Sequence, residues 1–196
     1  MAHIGMKEAL FLLYVSLFKG HIAVKTHDGA GFFIRILIRL RLAKGFYSVR
    51  DPRDALLSAM DHARKGRTTQ QPSASDKAFA VFHSGDDLYP ALQMHFQRFL
   101  SWKKFGKCIF PRYEDVIDKE TDTIQTLCDY TGIQPAKKNI AEIASDFIRN
   151  KEHTPNFNKG LKSRYSSEMS VEEIKETELQ LKNCILEMGY TISTHE

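Results

Sequence analysis

The feature that most constrains the fold is an abrupt change from strand to helix within residues 46–58. Aromatic and β-branched side chains, which favour strands, fill three of the first four positions of this segment. Asp51 then offers a side chain that can cap a helix, and Pro52 suits the first helical position. Asp54 places negative charge in the first turn, and apolar residues spaced for one helix face follow it. The segment therefore predicts a buried strand that leads directly into an amphipathic helix.

Arg50 lies at the carboxyl end of that strand, beside the N-terminus of the helix. In open α/β sheets this is where ligands bind. A guanidinium group is always charged, and its fork of donors matches two phosphate oxygens. Ser58, eight residues later, could add a hydroxyl donor. Two interpretations stay open from these residues alone: a phosphate site, or a surface ion pair for Arg50 with Ser58 in contact with water.

Helices and short strands alternate along the rest of the chain. Periodicity, caps and glycine stops predict helices over 6–18, 32–43, 52–65, 86–104, 121–130, 136–150 and 170–188, and strands over 21–25, 46–50 and 107–112. Segments 66–84 and 153–170 are predicted to be surface loops, the first of them a candidate lid. This order indicates an α/β fold, with a mainly parallel sheet flanked by helices, in a single domain over residues 1–196.

Composition narrows the class of protein. A net charge of +4 over 196 residues, with no block of like charges, argues against a nucleic-acid partner. The three cysteines lack metal-ligand spacing, and their odd number argues for a reducing compartment, so we expect a cytoplasmic protein without a metal site. The apolar run over 9–18 is too short to span a membrane. It favours a buried helix over a secretory signal or a membrane anchor.

Further short segments accompany Arg50 and Ser58 in a fixed order. Lys25-Thr26-His27 precedes them, and Tyr113-Glu114-Asp115, Ser145-Asp146-Phe147 and Asn158-Lys159-Gly160 follow. Over residues 21–190 this order resembles the sulfotransferases that use 3′-phosphoadenosine 5′-phosphosulfate (PAPS). In that family an arginine and a serine eight residues apart follow a Lys-[Thr or Ser]-His segment. The resemblance implies the P-loop nucleotide hydrolase-like fold of the family.

The resemblance also implies a role for each matching residue. His27 would be the general base that takes the proton of an acceptor hydroxyl or amine, and an ordinary histidine pKa of about 6.5 suits this task. Lys25 would stabilise charge on the transferring sulfuryl group. PAPS would be the co-substrate and 3′-phosphoadenosine 5′-phosphate (PAP) the product, with a small molecule or a glycan as acceptor. The implied binding residues are Arg50, Ser58, Lys159 and Gly160 for the 3′-phosphate, and Tyr113, Ser145 and Phe147 for the adenine.

The sequence departs from the family pattern in two places. Asn158, Ser163 and Tyr165 replace an arginine, a glycine and a tryptophan of the late phosphate-binding loop. No segment matches the family's 5′-phosphosulfate loop, which contains a proline, a lysine and a glycine followed by hydroxyl residues. We therefore expect an N-terminally incomplete version of the fold.

Three functions are compatible with these residues. The ordered match favours a PAPS-dependent sulfotransferase. The missing loop would suit a non-catalytic nucleotide-binding remnant or an interaction module. A P-loop kinase relative is disfavoured, because the chain lacks the lysine and hydroxyl pair of that motif. The sequence leaves a homo-oligomer open.

Overall fold

A computed structural model of the chain describes residues 6–19, 22–26, 28–133, 139–150 and 161–193. His27, Lys159 and Gly160 lie outside the described residues, as does the side chain of Phe147. The strands in the described ranges are β1 (Gly45–Phe46) and β2 (Cys108–Ile109). The helices in the same ranges are α1 (Met6–Lys19), α2 (Phe32–Arg39), α3 (Pro52–Thr68), α4 (Ala74–Phe79), α5 (Gly85–Phe105), α6 (Tyr113–Asp118), α7 (Glu120–Thr131), α8 (Ile140–Asn150), α9 (Tyr165–Glu168) and α10 (Val171–Glu187).

The chain divides into two compact units. Unit 1 comprises Met1–Tyr47 and His95–Phe110, and unit 2 comprises Ser48–Met94 and Pro111–Glu196. The prediction of a single domain over residues 1–196 stays a prediction.

Unit 1 is built around a short parallel sheet. Gly45 pairs with Cys108, and Phe46 pairs with Ile109. Ile38 and Trp102 are buried beneath this sheet, where they pack with aromatic neighbours that include Tyr47. A Cβ atom at Gly45 would lie 2.7 Å from the Cys108 sulfur and 3.1 Å from Ile38 Cδ1, so a larger residue would require these side chains to shift.

Unit 2 is organised around α3. Val49 forms a parallel bridge with Arg112, and its side chain is buried three residues before the helix begins at Pro52. One face of α3 buries Leu56, Ala59 and Ala63. Helix α3 packs against α4, α9 and α10.

The contact between α3 and α4 is unusually close at one position. A Cβ atom at Gly66 would lie 2.1 Å from the carbonyl oxygen of Asp76, a distance that real side chains do not reach. Glycine is therefore needed at this point for α4 to rest on the last turns of α3.

Several predictions of local structure are confirmed. The sheet is parallel, as expected for the α/β class, although it is small. The Asp51 side chain accepts from the Arg53 amide and caps α3, with Pro52 at the first position. The helix predicted from residue 170 is α10, which Ser170 and Glu173 open with a capping box.

Other predictions are wrong in their extent. Residues 22–26 form no strand, and most are exposed, because no neighbouring strand pairs with them in the described part of the chain. Helix α2 ends at Arg39 rather than at residue 43, since Arg41 adopts the left-handed conformation with φ 61°. The strands predicted over 46–50 and 107–112 contract to two residues each, followed by the Val49–Arg112 bridge.

The two predicted loops are also partly helical. Helix α3 continues to Thr68, and Ala74–Phe79 forms α4, because Ser73 and Asp76 make a capping box that the serine-rich composition obscured. In the described part of the second predicted loop, Tyr165–Glu168 forms α9.

Candidate functional site: the Arg50 junction

Arg50 occupies the single residue step between the strand bridge and the cap of α3. Its Nη2 donates to the carbonyl oxygen of Leu161 at 2.9 Å. Its guanidinium carbon lies 4.3 Å from the centre of the Tyr113 ring, a cation–π distance. Its Nε is buried and has no hydrogen-bond partner among the described residues. The side chain is thus held on two sides, with one guanidinium donor unsatisfied by the described residues.

Three contacts fasten the segment after Leu161 to α3. The Oδ1 of Asp54 accepts from the amide of Tyr165 at 3.0 Å. The guanidinium of Arg53 lies 3.9 Å from the centre of the Tyr165 ring. Arg164, which is buried, donates to Asp61 at 2.7 Å. The contacts hold the last residues of the predicted phosphate-binding loop against α3, near Arg50.

Asp54 is a buried carboxylate at this site. Its side chain is fully buried, and its Oδ2 has no partner among the described residues. Burial raises the pKa of Asp54 above its ordinary value of 3.8, and the Tyr165 amide and the Arg50 charge oppose that rise. Asp54 therefore does more than complement the helix dipole, which is the only role that the sequence suggested.

A buried ion network supports the cap of α3. Arg53 pairs with Asp51 at 2.7 Å and with Glu178 of α10 at 2.6 Å, and all three side chains are buried. Burial would raise the pKa of Glu178, but hydrogen bonds from Ser193 and the Arg53 charge keep it below its ordinary value. The Asp51 cap therefore has a fixed orientation, and the backbone at Arg50 is fixed with it.

Tyr113 and Glu114 connect α6 to the same junction. Tyr113 opens α6, where its ring packs under Arg50. Glu114 accepts from the Asp51 amide at 3.2 Å and from the Tyr190 hydroxyl at 2.7 Å. The central residue of the Tyr-Glu-Asp segment thus orients the cap of α3, a role that the sequence alone did not indicate.

The remaining predicted site residues are spread over both units. Ser58 is half-buried on α3, two turns beyond the cap, and Ser145 is exposed on α8. Lys25 is exposed in unit 1. The Asp28 amide donates to the Thr26 hydroxyl at 3.1 Å, and the Asp28 carbonyl accepts from Trp102 at 2.9 Å. These contacts hold the described residues that flank position 27.

Two other kinds of feature are absent from the described residues. They contain no group of histidine, cysteine and acidic side chains that could hold a metal ion. No helix in this part of the chain has the length and apolar character needed to cross a membrane.

Comparisons with known proteins agree with the ordered motifs. Residues 21–184 match the family model described as a sulfotransferase domain. A 3-alpha-hydroxysteroid sulfotransferase of Cavia porcellus is 27% identical over 113 residues, which cover 57% of this chain and 39% of the relative. Sulfotransferase 2A1 of Rattus norvegicus is 26% identical over 137 residues, which cover 69% of this chain and 48% of the relative. Sulfotransferase 2A1 of Mus musculus is 29% identical over 90 residues, or 46% of this chain and 32% of the relative.

The matched region thus spans less than half the length of these three relatives. No solved structure gives a significant match. Because the family model covers most of the chain, the chain belongs to the sulfotransferase family.

Proposed function

We propose that this protein binds PAPS and moves its sulfuryl group to a hydroxyl or amine acceptor. The observation that carries the proposal is the Arg50 junction. A guanidinium at a strand end, braced by Leu161 and Tyr113, keeps a buried Nε donor without a partner among the described residues. A phosphate oxygen is the acceptor that such a donor suits best.

The residues around Arg50 suit the 3′-phosphoadenosine part of PAPS. Arg50 would bind the 3′-phosphate, with the Ser58 hydroxyl, Lys159 and the Gly160 backbone as further donors. The adenine would lie against Tyr113, with Ser145 and Phe147 as further contacts. Asp54 would position the segment after Leu161 through the Tyr165 amide. The site is therefore proposed to recognise the nucleotide mainly through its 3′-phosphate.

PAPS supplies an activated sulfuryl group, and this chain supplies the base and the positive charge. His27 would take the proton of the acceptor as its oxygen or nitrogen bonds to sulfur. Lys25 would stabilise the negative charge that develops as PAP leaves. The relatives are named as hydroxysteroid sulfotransferases and sulfotransferases, so a hydroxysteroid is the first acceptor to assay.

Transfer of labelled sulfate from PAPS to a hydroxysteroid tests the proposed reaction. We expect transfer by the full chain and its loss, by about 100-fold or more, in His27→Ala, because general bases contribute rate factors of this order. His83→Ala is a matched control, since His83 is an exposed histidine outside the proposed site. Equal transfer by His27→Ala and wild type would overturn the assignment of the base.

A further inference from the structure

Unit 1 carries far more positive charge than the whole chain suggests. It contains eleven lysine and arginine residues and two acidic residues, which gives a net charge of +9 with histidine neutral. Unit 2 contains seventeen basic and twenty-two acidic residues, a net charge of −5, and the two values together give the +4 of the chain. The N-terminal segment Met1–Tyr47 supplies a net +5 of this excess, and His95–Phe110 adds the remaining +4 in the fold.

Much of this positive charge is exposed. Two acidic side chains cannot neutralise eleven cations, so unit 1 has a strongly positive surface potential of its own. The exposed cations of unit 1 near α2 and at the end of α5 are Arg39, Arg41, Lys44, Lys103, Lys104 and Lys107.

Unit 1 also exposes an apolar helix face, so the prediction of a buried helix over 9–18 is wrong for this face. On α1, Leu10, Phe11, Tyr14 and Leu17 are 60%, 63%, 63% and 78% exposed. Their spacing places them on one face of the helix, together with Lys7. Exposed apolar side chains also adjoin a cation after α2, where Leu40 and Leu42 flank Arg41.

We propose that unit 1 binds the surface of an anionic lipid bilayer. The cations would face the lipid phosphates, while the apolar face of α1 would enter the boundary between headgroups and acyl chains. A soluble polyanion would use the cations and leave the apolar face in water. A second copy of unit 1 would bring a net +9 against an equal charge, which opposes self-association through this surface.

Co-sedimentation of the full chain with vesicles tests the role of charge. Phosphatidylcholine vesicles with phosphatidylserine should bind the protein at least about tenfold more tightly than phosphatidylcholine alone. The combined substitutions Arg39→Gln, Arg41→Asn and Lys104→Gln should remove most of this preference, and asparagine tolerates the left-handed backbone at position 41. The control removes three exposed cations of unit 2, Lys65, Lys175 and Lys182, and should leave binding within about twofold of wild type.

A second pair of variants tests the apolar face. Phe11→Ser with Leu17→Ser should weaken vesicle binding about tenfold or more, because both side chains leave the bilayer boundary. The control, Leu179→Ser with Leu186→Ser, removes two exposed leucines of α10 in unit 2 and should leave vesicle binding unchanged. All four side chains are exposed, so the unfolding midpoints of both variants should match wild type.

Three results would overturn the proposal. The first is equal binding to neutral and anionic vesicles. The second is tight binding to heparin with no effect of Phe11→Ser and Leu17→Ser on vesicles, which would indicate a site for soluble polyanions. The third is a dimer in solution that the Phe11→Ser and Leu17→Ser variant converts to a monomer, which would assign the face to self-association.

Discussion

Two buried polar atoms at the α3 junction, Arg50 Nε and Asp54 Oδ2, lack a partner among the described residues. Buried polar atoms in proteins are nearly always paired, so each exception needs a reason. A bound phosphate would give Arg50 Nε its acceptor. For Asp54, the reason is that its other oxygen, Oδ1, accepts a hydrogen bond from the Tyr165 amide. One oxygen of Asp54 is therefore left buried without a partner among the described residues, while the other oxygen orders the segment beside Arg50.

Replacing Asp54 by alanine should destabilise the fold by about 1–3 kcal/mol, because the Tyr165 amide loses its acceptor. It should also weaken PAP binding, since the segment after Leu161 would no longer be fixed. Asp54→Asn retains an acceptor oxygen, so it should recover most of both losses. Urea unfolding and calorimetry with PAP measure the two effects. Equal behaviour of the alanine and asparagine variants would contradict this positioning role.

The sequence predicts that Arg50 and Tyr113 lie at the carboxyl ends of two strands, whereas it does not indicate the role of Asp54. Arg50 and Tyr113 each follow a predicted strand, and the ends of neighbouring parallel strands meet at one edge of a sheet. The acceptor contact of Asp54 is with a residue 111 positions away, in a segment that shows no clear periodicity. Pairing over such a distance depends on tertiary packing, which local sequence does not specify.

The packing of α4 on α3 depends on one glycine. Gly66→Ala would bring a Cβ atom against the Asp76 carbonyl and force the helices apart, so we expect a loss of about 2 kcal/mol or more in the free energy of unfolding. Gly85→Ala is the matched control: the nearest atom there is 4.0 Å away, and alanine favours the helix. Chemical unfolding of both variants checks the difference. A Gly66→Ala protein as stable as Gly85→Ala would contradict the close packing of α4.

The Asp76 carboxylate, which caps α4 together with Ser73, should also make the free energy of unfolding depend on pH. Burial opposes ionisation of Asp76, but hydrogen bonds from His62 and Ser73 hold its pKa below the ordinary value of 3.8. A carboxylate with a lowered folded pKa stabilises the fold above the unfolded value, and this contribution is lost as pH falls through the folded pKa.

Asp76→Asn should therefore be less stable than wild type at neutral pH, and the gap should close as pH falls below 3.8. Urea unfolding of both proteins over a series of pH values measures the gap. Glu178, whose pKa is also lowered, is present in both proteins and cancels in the comparison. A gap that stays constant down to low pH would contradict the role of the Asp76 carboxylate.

The prediction of a loop over 66–84 shows where composition misleads. Proline, serine and threonine suggested an irregular segment, yet Ser73 and Asp76 stand three residues apart and form a capping box. Ser170 and Glu173 form the same kind of capping box at the start of α10, where a longer apolar pattern also indicates the helix. Short helices such as α4 carry too few apolar positions to show periodicity, so their caps are the better sign.

For the whole molecule, PAP should raise the thermal unfolding midpoint. A ligand at 100 times its dissociation constant stabilises the native state by about 2.7 kcal/mol. The same concentration should have little effect on Arg50→Ala, whereas Arg112→Ala should respond like wild type. Arg112 makes the same two kinds of contact as Arg50, because it donates to a backbone carbonyl, that of Gly189, at 2.7 Å and its guanidinium carbon lies 5.0 Å from the centre of a tyrosine ring, that of Tyr190. If PAP raised the unfolding midpoints of both variants equally, Arg50 would not be part of the nucleotide site.

The net charge of the whole chain does not show how strongly positive unit 1 is. The net charge of +4 predicted no particular partner, because the basic and acidic surpluses of the two units largely cancel. The parts of unit 1 are 47 residues apart in the sequence, over the gap between Tyr47 and His95. A sequence window cannot join them, and only the fold shows how much positive charge they share.

The affinity of the full chain for PAP, compared with its affinity for adenosine 5′-phosphate, tests the central claim most directly. The two ligands differ in the 3′-phosphate that Arg50 is proposed to bind. In calorimetry, wild type should prefer PAP, and Arg50→Ala should lose about 2–4 kcal/mol of PAP binding with little change for adenosine 5′-phosphate. Equal affinity of wild type for the two ligands, or unchanged PAP binding by Arg50→Ala, would contradict the account.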